Sequence, residues 1–389
     1  MSTILKSNKV SSGENLGNLN GILGSQDWSL FLDFSRDKYA KKISGVKTEL
    51  SLTDALTAAH NFEIGAYSTP KTMSKDGVIS EVSANNQIRT WRSSEGLFGL
   101  LVEARKVNKF TNSATPVEKT ISVAAGLRMA ASCKGSGYLT ISGTNLIGSP
   151  ITVREVDGFK ALLFQDNIAS TITVTPTGTL THAQIEDILG FNLPTSPIKS
   201  GASTNNLSTR KEDLVKINDA LLQQVISSGQ YTVLMQTVPM YPRANLHNTT
   251  APNETRLVVR TPTNQLTLGI SRAKNPANTN QQKYIRVLNH LNNGTSLTAF
   301  GGVRRDSTAN IENFVYASTS DGVTTAMNDY DDINKVATTN AGRPSEMYIG
   351  SGLTVAAINV GGCFILTKLA VYDRVLSDSE ITKIVKSWV

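Results

Sequence analysis

The feature that most limits the fold is a series of short apolar segments between residues 98 and 178. The segments recur about every ten residues, and Gly, Ser, Asp and Pro separate them. Examples are "KTISVAAG", "GYLTISGT" and "STITVTPTG", a rhythm typical of an antiparallel sandwich. The rhythm returns after Tyr231, in "ETRLVVRT" and "KYIRVLNHL". We therefore expect an all-β chain with two jelly-roll-like β-sandwiches in tandem, a short N-terminal arm and a short C-terminal helix.

The composition agrees with an all-β chain and limits the kinds of partner. Charged residues make up 18% of the 389 residues, below the ~25% of an average globular chain. Ser, Thr, Asn and Gly fill the difference, and these residues suit turns and strand surfaces. The net charge of +7 is spread along the chain and forms no basic run. This predicts an ordinary solvated surface and no nucleic-acid partner, while docking on an acidic polysaccharide stays open.

The last residues carry a strong signal for a helix start. In "LSDSEI", Ser377 can cap the amide of Glu380, and Glu380 can reach back to the amide of Ser377. Leu376 and Ile381 stand at the two positions of a hydrophobic staple. The apolar residues that share one face of the predicted helix are Ile381, Ile384, Val385 and Trp388.

Composition changes along the chain suggest four segments. Residues 1–27 are rich in Ser, Asn and Gly and predict a flexible arm. Residues 28–200 are expected to form the first sandwich and residues 229–389 the second. Residues 201–228 are expected to be a linker with a short helix capped near Asn218.

The cysteines and the hydropathy pattern limit the cellular setting. Cys133 and Cys363 lie far apart and have no metal-ligand spacing, so we expect two reduced core residues. The first fifteen residues contain no apolar core of the kind that a secretion signal needs. No segment approaches the ~20 apolar residues of a membrane span. These patterns predict synthesis in a cytoplasm, without an N-terminal export signal and without a membrane span.

Catalytic motifs are not found in the sequence. There is no GxSxG, HExxH or P-loop pattern. The four histidines, at positions 60, 182, 247 and 290, share no metal-ligand spacing. We therefore expect no enzyme activity and no catalytic residue.

An acidic stretch, "MNDYDDIN", is the one candidate metal site in the sequence. Asn328, Asp329, Asp331 and Asp332 supply hard oxygen ligands at short spacing, which suits Ca²⁺. The stretch has neither the glycine nor the closing glutamate of an EF-hand, and a solvated turn is the alternative. No other cofactor is expected.

Two aromatic residues are candidates for stacking on a sugar ring. Tyr241 lies beside Arg243 and Asn245, and Trp91 lies between two arginines. The alternative for both rings is burial in a core or an interface. A further pair, Glu103 with Arg105, is interpreted as a structural ion pair of the first sandwich.

The second half resembles concanavalin A-like (laminin G type) lectin domains. The stretch "LTKLAVYDRVLSDSEITKIVKSWV" is similar to their closing strand, Tyr-Asp-Arg turn and Leu-Ser-Asp-x-Glu-Ile helix start. "SEMYIGSG" resembles the strand that precedes it. The likeness covers roughly residues 229–389.

The first half resembles a module of bacteriophage virion proteins. The similar stretches occur in the expected order: "LFLDFSRDKY", "GVISEVSANNQIR", "GLLVEARKVN" and "THAQIEDILGFNLPTSPI". In that module the last stretch contains a strand that closes a carbohydrate-binding-like sandwich. The resemblance therefore implies a strand over residues 181–186, although Thr181 and Gln184 alone would suggest a capping box. Residues 43–75 have no counterpart.

Taken together, the resemblances imply a structural component of a bacteriophage virion. Such a component would be a tail fibre, appendage, collar or capsid-decorating protein that assembles through its arm and sandwich faces. Its expected location is the virion, and its expected partners are other virion proteins and further copies of itself. The alternative is a receptor-binding adhesin that recognises host polysaccharide. A glycan depolymerase is the third candidate.

Overall fold

A computed structural model describes most of the chain, and the following account concerns only those residues. The described ranges are 27–60, 71–82, 87–93, 96–103, 106–125, 129–165, 168–187, 195–201, 208–210, 213–239, 253–262, 264–274, 281–291, 296–299, 305–306, 312–318, 322–327, 334–337, 342–350 and 364–388.

The described elements are strands, three helices and one 3₁₀ turn. The strands up to residue 103 are β1 Leu30–Asp33, β2 Lys38–Ile43, β3 Val46–Glu49, β4 Leu56–His60, β5 Lys71–Met73, β6 Ile79–Glu81, β7 Thr90–Arg92 and β8 Phe98–Val102. The strands of the middle part are β9 Lys106–Asn108, β10 Lys119–Val123, β11 Met129–Gly135, β12 Tyr138–Gly143, β13 Ile151–Arg154, β14 Lys160–Leu162, β15 Ser170–Thr177, β16 Leu180–Asp187 and β17 Ser208–Arg210. The remaining strands are β18 Asp213–Ile217, β19 Tyr231–Pro239, β20 Asn253–Arg260, β21 Asn264–Lys274, β22 Gln281–Leu291, β23 Ser296–Ala299, β24 Arg305–Asp306, β25 Glu312–Ser318, β26 Gly322–Met327, β27 Asn334–Ala337, β28 Glu346–Gly350 and β29 Phe364–Tyr372. The helices are α1 Leu52–Ala55, α2 Asp219–Val225 and α3 Asp378–Lys386, and the 3₁₀ turn is Glu155–Asp157.

Two large sheets form what we call the large sandwich. The strand order of the first is β27-β26-β25-β19-β29-β1-β2-β3, with β8 also pairing with β29 and β7 with β8. The order of the second is β23-β22-β21-β20-β28-β18-β4, with β24 on β22. Side chains from both sheets, such as Leu32, Val233, Val215 and Ile349, are fully buried in one shared core. The all-β sandwich expected from the sequence is therefore confirmed.

The first strands of the chain belong to the same sheet as the last one. β1 pairs antiparallel with β29, and Leu30 lies opposite Val371. β4 pairs with β18 in the second sheet. The expected boundaries placed residues 28–103 with the first sandwich, but β1–β4, β7 and β8 pair within the large sandwich, while β5 and β6 form a separate hairpin. The two sandwiches are consequently nested, because strand pairing joins segments more than 300 residues apart that carry no local mark of their partner.

The second sandwich is inserted between β8 and β18, and we call it the inserted sandwich. Its sheets have the orders β10-β15-β12-β13 and β14-β11-β16-β9-β17. Residues such as Ile141, Ile172 and Ile185 fill its own core. Cys133 lies in this core as a buried free thiol, as expected, whereas Cys363 lies outside the described residues.

Residues 180–187 form strand β16 and no helix. Local sequence predicts a capping box from Thr181 and Gln184, but Gln184 lies opposite Ser132 of β11. The strand predicted by the phage-module resemblance is present. The tertiary pairing with β11 overrides the local helix signal.

The helix starts predicted from the sequence are confirmed. The Ser377 backbone N–H donates to Oε2 of Glu380 at 2.8 Å, and the Glu380 backbone N–H donates to Oγ of Ser377 at 3.4 Å. At α2, Oδ1 of Asn218 accepts the backbone N–H of Ala220 at 3.0 Å. Among the described residues, none of the helices has the length and the apolar character needed to cross a bilayer.

The apolar face of α3 packs on the large sandwich. Ile381, Ile384 and Trp388 are buried in a cluster that also contains Trp28 and Phe31. The side chain of Gln236 donates to the carbonyl of Trp388 at 2.9 Å. The helix therefore closes the outer face of the sheet that contains β1, β19 and β29, as its amphipathic pattern predicts.

Candidate functional site

The two points at which the chain enters and leaves the inserted sandwich lie side by side. Asp213 donates its backbone N–H to the carbonyl of Glu103 at 2.9 Å. Glu103 donates its backbone N–H to Oδ2 of Asp213, also at 2.9 Å. The insertion therefore begins and ends at one place in the large sandwich, immediately after β8 and immediately before β18.

A buried arginine holds this junction. Nε of Arg89 donates to Oδ1 of Asp213 at 3.1 Å, and Nη2 donates to Oδ2 of the same carboxylate. Nη2 also donates to Oε2 of Glu103 at 2.6 Å. Nη1 donates to the carbonyl of Lys71 and to the hydroxyl of Ser196. The guanidinium thus binds groups from both sandwiches, with the planar fork that suits a carboxylate.

The electrostatics of this junction cluster follow from its burial. Arg89 and Glu103 are fully buried and Asp213 is nearly so. Burial by itself lowers the pKa of Arg89, but the carboxylates of Asp213 and Glu103 offset this effect and hold the pKa above its ordinary value. The arginine is therefore charged at every physiological pH.

The carboxylates of the junction are occupied as hydrogen-bond acceptors. Ser196 donates its backbone N–H to Oε1 of Glu103 and its hydroxyl to Oε2 of Glu103. With Arg89 and the backbone N–H of Glu103 bound as well, all four carboxylate oxygens have donors. This arrangement holds the joined segments in one position relative to each other.

A second set of buried polar contacts fastens the segment after β16 to the inserted sandwich. The Thr195 backbone N–H donates to Oε2 of Glu186 at 2.7 Å, and the Thr195 hydroxyl donates to Oε1. Gln184 donates from Nε2 to the carbonyl of Thr195 at 3.2 Å and accepts the backbone N–H of Ile198 at 2.7 Å. The segment that precedes the expected linker (residues 201–228) is therefore packed, since Thr195 and Ile198 are buried.

Asn108 completes this network in the interior of the inserted sandwich. Its Oδ1 accepts the backbone N–H groups of Phe110 and Ile185, each at 3.0 Å. Its Nδ2 donates to the carbonyls of Ala183 and Ile198. All of the hydrogen-bonding groups of this side-chain amide have partners. The buried asparagine therefore fixes the relative positions of the segments that it connects.

A solvent-open cleft lies where the described chain begins. It has a volume of about 420 Å³, and its walls include Asp27, Lys42, Gln224 and Asp373. Oδ1 of Asp373 accepts the backbone N–H of Ser227 at 2.7 Å. Because Asp27 directly follows residues 1–26, this polar cleft is at the root of the predicted arm.

The candidate residues from the sequence do not meet in one described site. Trp91 is 7% exposed and packs with Leu101, Val238 and Ile365, so its environment matches the buried alternative. Tyr241, Arg243 and Asn245 lie outside the described residues, as do the candidate Ca²⁺ ligands Asn328, Asp329, Asp331 and Asp332. The glycan-contact and metal predictions for these residues remain predictions.

Glu103, one member of the predicted ion pair, binds an arginine that the sequence did not pair with it. Glu103 was expected to pair with Arg105, which lies outside the described residues. In the structure Glu103 binds Arg89, fourteen residues away, and the cluster recruits Asp213 from beyond the insertion. Arg89 is the last residue of "GVISEVSANNQIR", one of the stretches that resemble the phage module, but the sequence does not indicate its partners.

Comparisons with known proteins give weak structural likenesses and no family. No model of a known protein family matches the chain, and no curated protein matches it. Among solved structures, the chain is similar to domain 4 of AbnA, an extracellular arabinanase from Geobacillus stearothermophilus, in complex with arabinotriose. The identity is 12% and the TM-score 0.26, and the match covers 44% of this chain and 72% of the other. The chain is also similar to a Trypanosoma rangeli sialidase (8% identity, TM-score 0.26, 90% and 82% coverage) and to mouse laminin α1 chain domains LG4-5 (10% identity, TM-score 0.22, 76% and 96% coverage). At these values the likenesses identify no family and carry no functional argument.

Proposed function

We propose that the chain is a structural component of a bacteriophage particle, of the appendage, fibre, collar or capsid-decorating type, which also contacts host surface glycan. Support comes from the sequence stretches that resemble phage virion proteins and occur in their order. Residues from three of these stretches, Arg89, Glu103 and Ser196, form the buried cluster at the junction. The resemblance thus falls on residues that join the two sandwiches.

The junction cluster is the observation that favours a scaffolding role. A buried ion cluster adds little stability over an apolar core, but it defines one arrangement of the elements that carry it. Here one guanidinium binds β18, the end of β8 and the segment after β16 together. A component of a symmetric particle needs such a fixed relation between the face that attaches and the face that is displayed.

Attachment is assigned to the predicted arm, residues 1–27, and to the cleft that Asp27 helps to line. The sequence of this segment is polar and poor in core-forming residues. The proposed partners are other virion proteins and further copies of the chain, and the proposed location is the virion after synthesis in the host cytoplasm.

Incorporation into particles tests this proposal. Particles are produced with the tagged full-length chain and with a variant that lacks residues 1–26, then purified on a density gradient and probed for the tag. We expect the full-length chain in the particle fraction and the truncated chain in the soluble fraction. Ser80→Ala, a change at an exposed strand position of the β5–β6 hairpin, is the matched control and should behave as the full-length chain.

Two results would contradict the proposal. A full-length chain that never sediments with particles would exclude the virion role, and a truncated chain that incorporates normally would exclude the role of the arm. If the full-length chain is incorporated, cryo-electron microscopy of the particle fraction gives its position and copy number.

A further inference from the structure

The four-stranded sheet of the inserted sandwich has one face on the core and one toward solvent. Alternate residues of β12 and β15, such as Leu139, Ile141 and Val174, are fully buried. The residues between them, such as Thr140 and Thr173, point away from that core, as the two-residue period of a strand requires. We call this outer surface the hydroxyl face.

The strand register sets the hydroxyl groups in rows across the sheet. In one row, Thr173 of β15 lies opposite Thr120 of β10 on one side and opposite Ser142 of β12 on the other. At one end of the sheet, Ser122 lies opposite Thr171. Both rows consist of hydroxyl-bearing side chains only.

The next row continues the pattern. Thr140 of β12 lies between Thr175 of β15 and Thr152 of β13. The hydroxyl of Thr175 donates to Glu118 at 2.8 Å. Within the described part of the chain, the hydroxyls of Thr140 and Thr152 have no protein partner. They keep both donor and acceptor capacity for a ligand.

The last row ends the array with an aromatic ring. Tyr138 is partly exposed and lies between Thr177 and Arg154. The guanidinium of Arg154 lies 5.5 Å from the centre of the Tyr138 ring, a distance typical of a cation–π contact. The contact holds the ring at the edge of the face.

The composition of this face differs from that of an ordinary solvated sheet. Exposed sheet surfaces usually carry interspersed Lys, Arg, Glu and Asp, which also oppose aggregation. Nine of the eleven outward positions in the four rows are Ser or Thr, and Arg154 is the charged one among them. The carboxylate of Glu118 lies beside the third row, where it accepts the Thr175 hydroxyl. Hydroxyl groups thus dominate this surface, with one carboxylate and one guanidinium at its margins.

The dimensions of the face indicate the kind of occupant. From standard strand spacings it is about 14 Å across and 20 Å long, or roughly 300 Å². A stable protein–protein interface buries about 800 Å² on each partner, so a second copy of the chain would be held poorly by this face alone. A polysaccharide strand needs less area, and its hydroxyl groups match donors and acceptors that repeat regularly.

We propose that the hydroxyl face binds a neutral polysaccharide, with Tyr138 at one end of the binding surface. The threonine and serine hydroxyls exchange hydrogen bonds with sugar hydroxyls, and the threonine methyl groups contact the sugar rings. The central rows consist of Ser and Thr, and the negative charge of Glu118 lies beside Thr175, so the face favours a neutral over an acidic glycan. This inference rests on the proposed function, of which it specifies the glycan contact.

Affinity electrophoresis of the purified full chain tests the inference. Native gels contain dextran, hydroxyethyl cellulose or arabinan as neutral probes, and alginate as the acidic probe. We expect retardation by at least one neutral probe and none by alginate. The double variant Thr140→Val/Thr173→Val keeps the shape and β-branching of both side chains, so it should fold normally. Its affinity should fall about tenfold, since two hydroxyls lose their hydrogen bonds.

The matched control places the same change elsewhere. Thr48→Val/Thr57→Val alters two exposed strand threonines of the large sandwich and should leave retardation unchanged. Circular dichroism melting of all three proteins checks the fold. The inference is overturned if no neutral probe retards the wild type, if alginate alone does, or if the Thr140/Thr173 variant binds as the wild type does. Since no particles are used, failure here is distinct from failure of incorporation.

Discussion

Replacing Arg89 by methionine tests the role assigned to the junction cluster. Methionine fills most of the space of the arginine stem but removes the guanidinium. The buried carboxylates of Glu103 and Asp213 then lose the positive charge that Arg89 supplies. The carbonyl of Lys71 and the hydroxyl of Ser196 lose a donor as well.

The expected cost follows from these losses. Breaking a buried ion pair by removing one partner typically costs about 3–5 kcal/mol. Arg89 is 0% exposed, so solvent cannot screen the remaining charges, and we expect Arg89→Met to lower the free energy of unfolding by about that amount. Arg89→Lys keeps the charge but loses the fork, and we expect an intermediate loss of about 1–3 kcal/mol.

Urea unfolding with two probes measures both the stability and the coupling of the sandwiches. The three tryptophans, Trp28, Trp91 and Trp388, all lie in the large sandwich, so fluorescence reports on that unit alone. Far-ultraviolet circular dichroism reports on both sandwiches. The wild type should show coincident transitions, and Arg89→Met should separate them.

An exposed ion pair supplies the control for this experiment. Lys134 and Glu155 lie 3.1 Å apart, with both side chains about half exposed. Lys134→Met should therefore cost no more than about 1 kcal/mol. If Arg89→Met costs no more than Lys134→Met, or if its two transitions stay coincident, the cluster does not join the sandwiches as argued.

Three further predictions concern the C-terminal helix and the insertion. Trp388→Ala should cost about 3–5 kcal/mol in urea unfolding because the ring is buried, and a cost below 1 kcal/mol would show that α3 does not pack as described. Hydrogen bonds from Arg374 and Ser377 lower the pKa of Glu380 to about 2. The stability that the ionised Glu380 adds is present above the unfolded pKa of about 4.3 and is lost as the pH falls towards 2. The difference in unfolding free energy between wild type and Glu380→Gln should therefore shrink from pH 7 to pH 2, and a constant difference would refute the cap. Replacing residues 104–212 by a short Gly-Ser linker should leave a large sandwich with native tryptophan fluorescence and cooperative unfolding, because the ends of the insertion are adjacent; an unfolded product would show that the large sandwich depends on the inserted one.

Several local features of this chain could be predicted from the sequence. The capping box of Ser377 and Glu380 and the cap of Asn218 depend on residues at most three positions apart. The short strands of the inserted sandwich follow from alternating apolar residues and turn residues at regular intervals. Such signals are contained within a few residues, so the sequence displays them directly.

Other features depended on partners that no local pattern reveals. The capping signal of Thr181 and Gln184 was wrong because β11 offers a complete hydrogen-bonding edge to this segment. Trp91 lies between two arginines in the sequence, as an exposed aromatic residue often does, but its side chain is buried in a core made by β8, β19 and β29. The rows of the hydroxyl face likewise require the register of four strands.

The sequence by itself determined that this protein is all-β, that its strands are short, and where two of its helices begin. Only the tertiary structure decided that one sandwich is inserted into the other. It alone also brings Arg89, Glu103 and Asp213 together at the junction of the two sandwiches. The physical reason is that the backbone N–H and C=O groups of a strand can pair with the edge of any other strand in a suitable register. The apolar pattern of a strand therefore does not specify which strand it pairs with. β1 pairs with its neighbour β2 on one edge, but its pairing with β29 on the other edge follows from the burial of both sheets against a common core, a property of the whole fold.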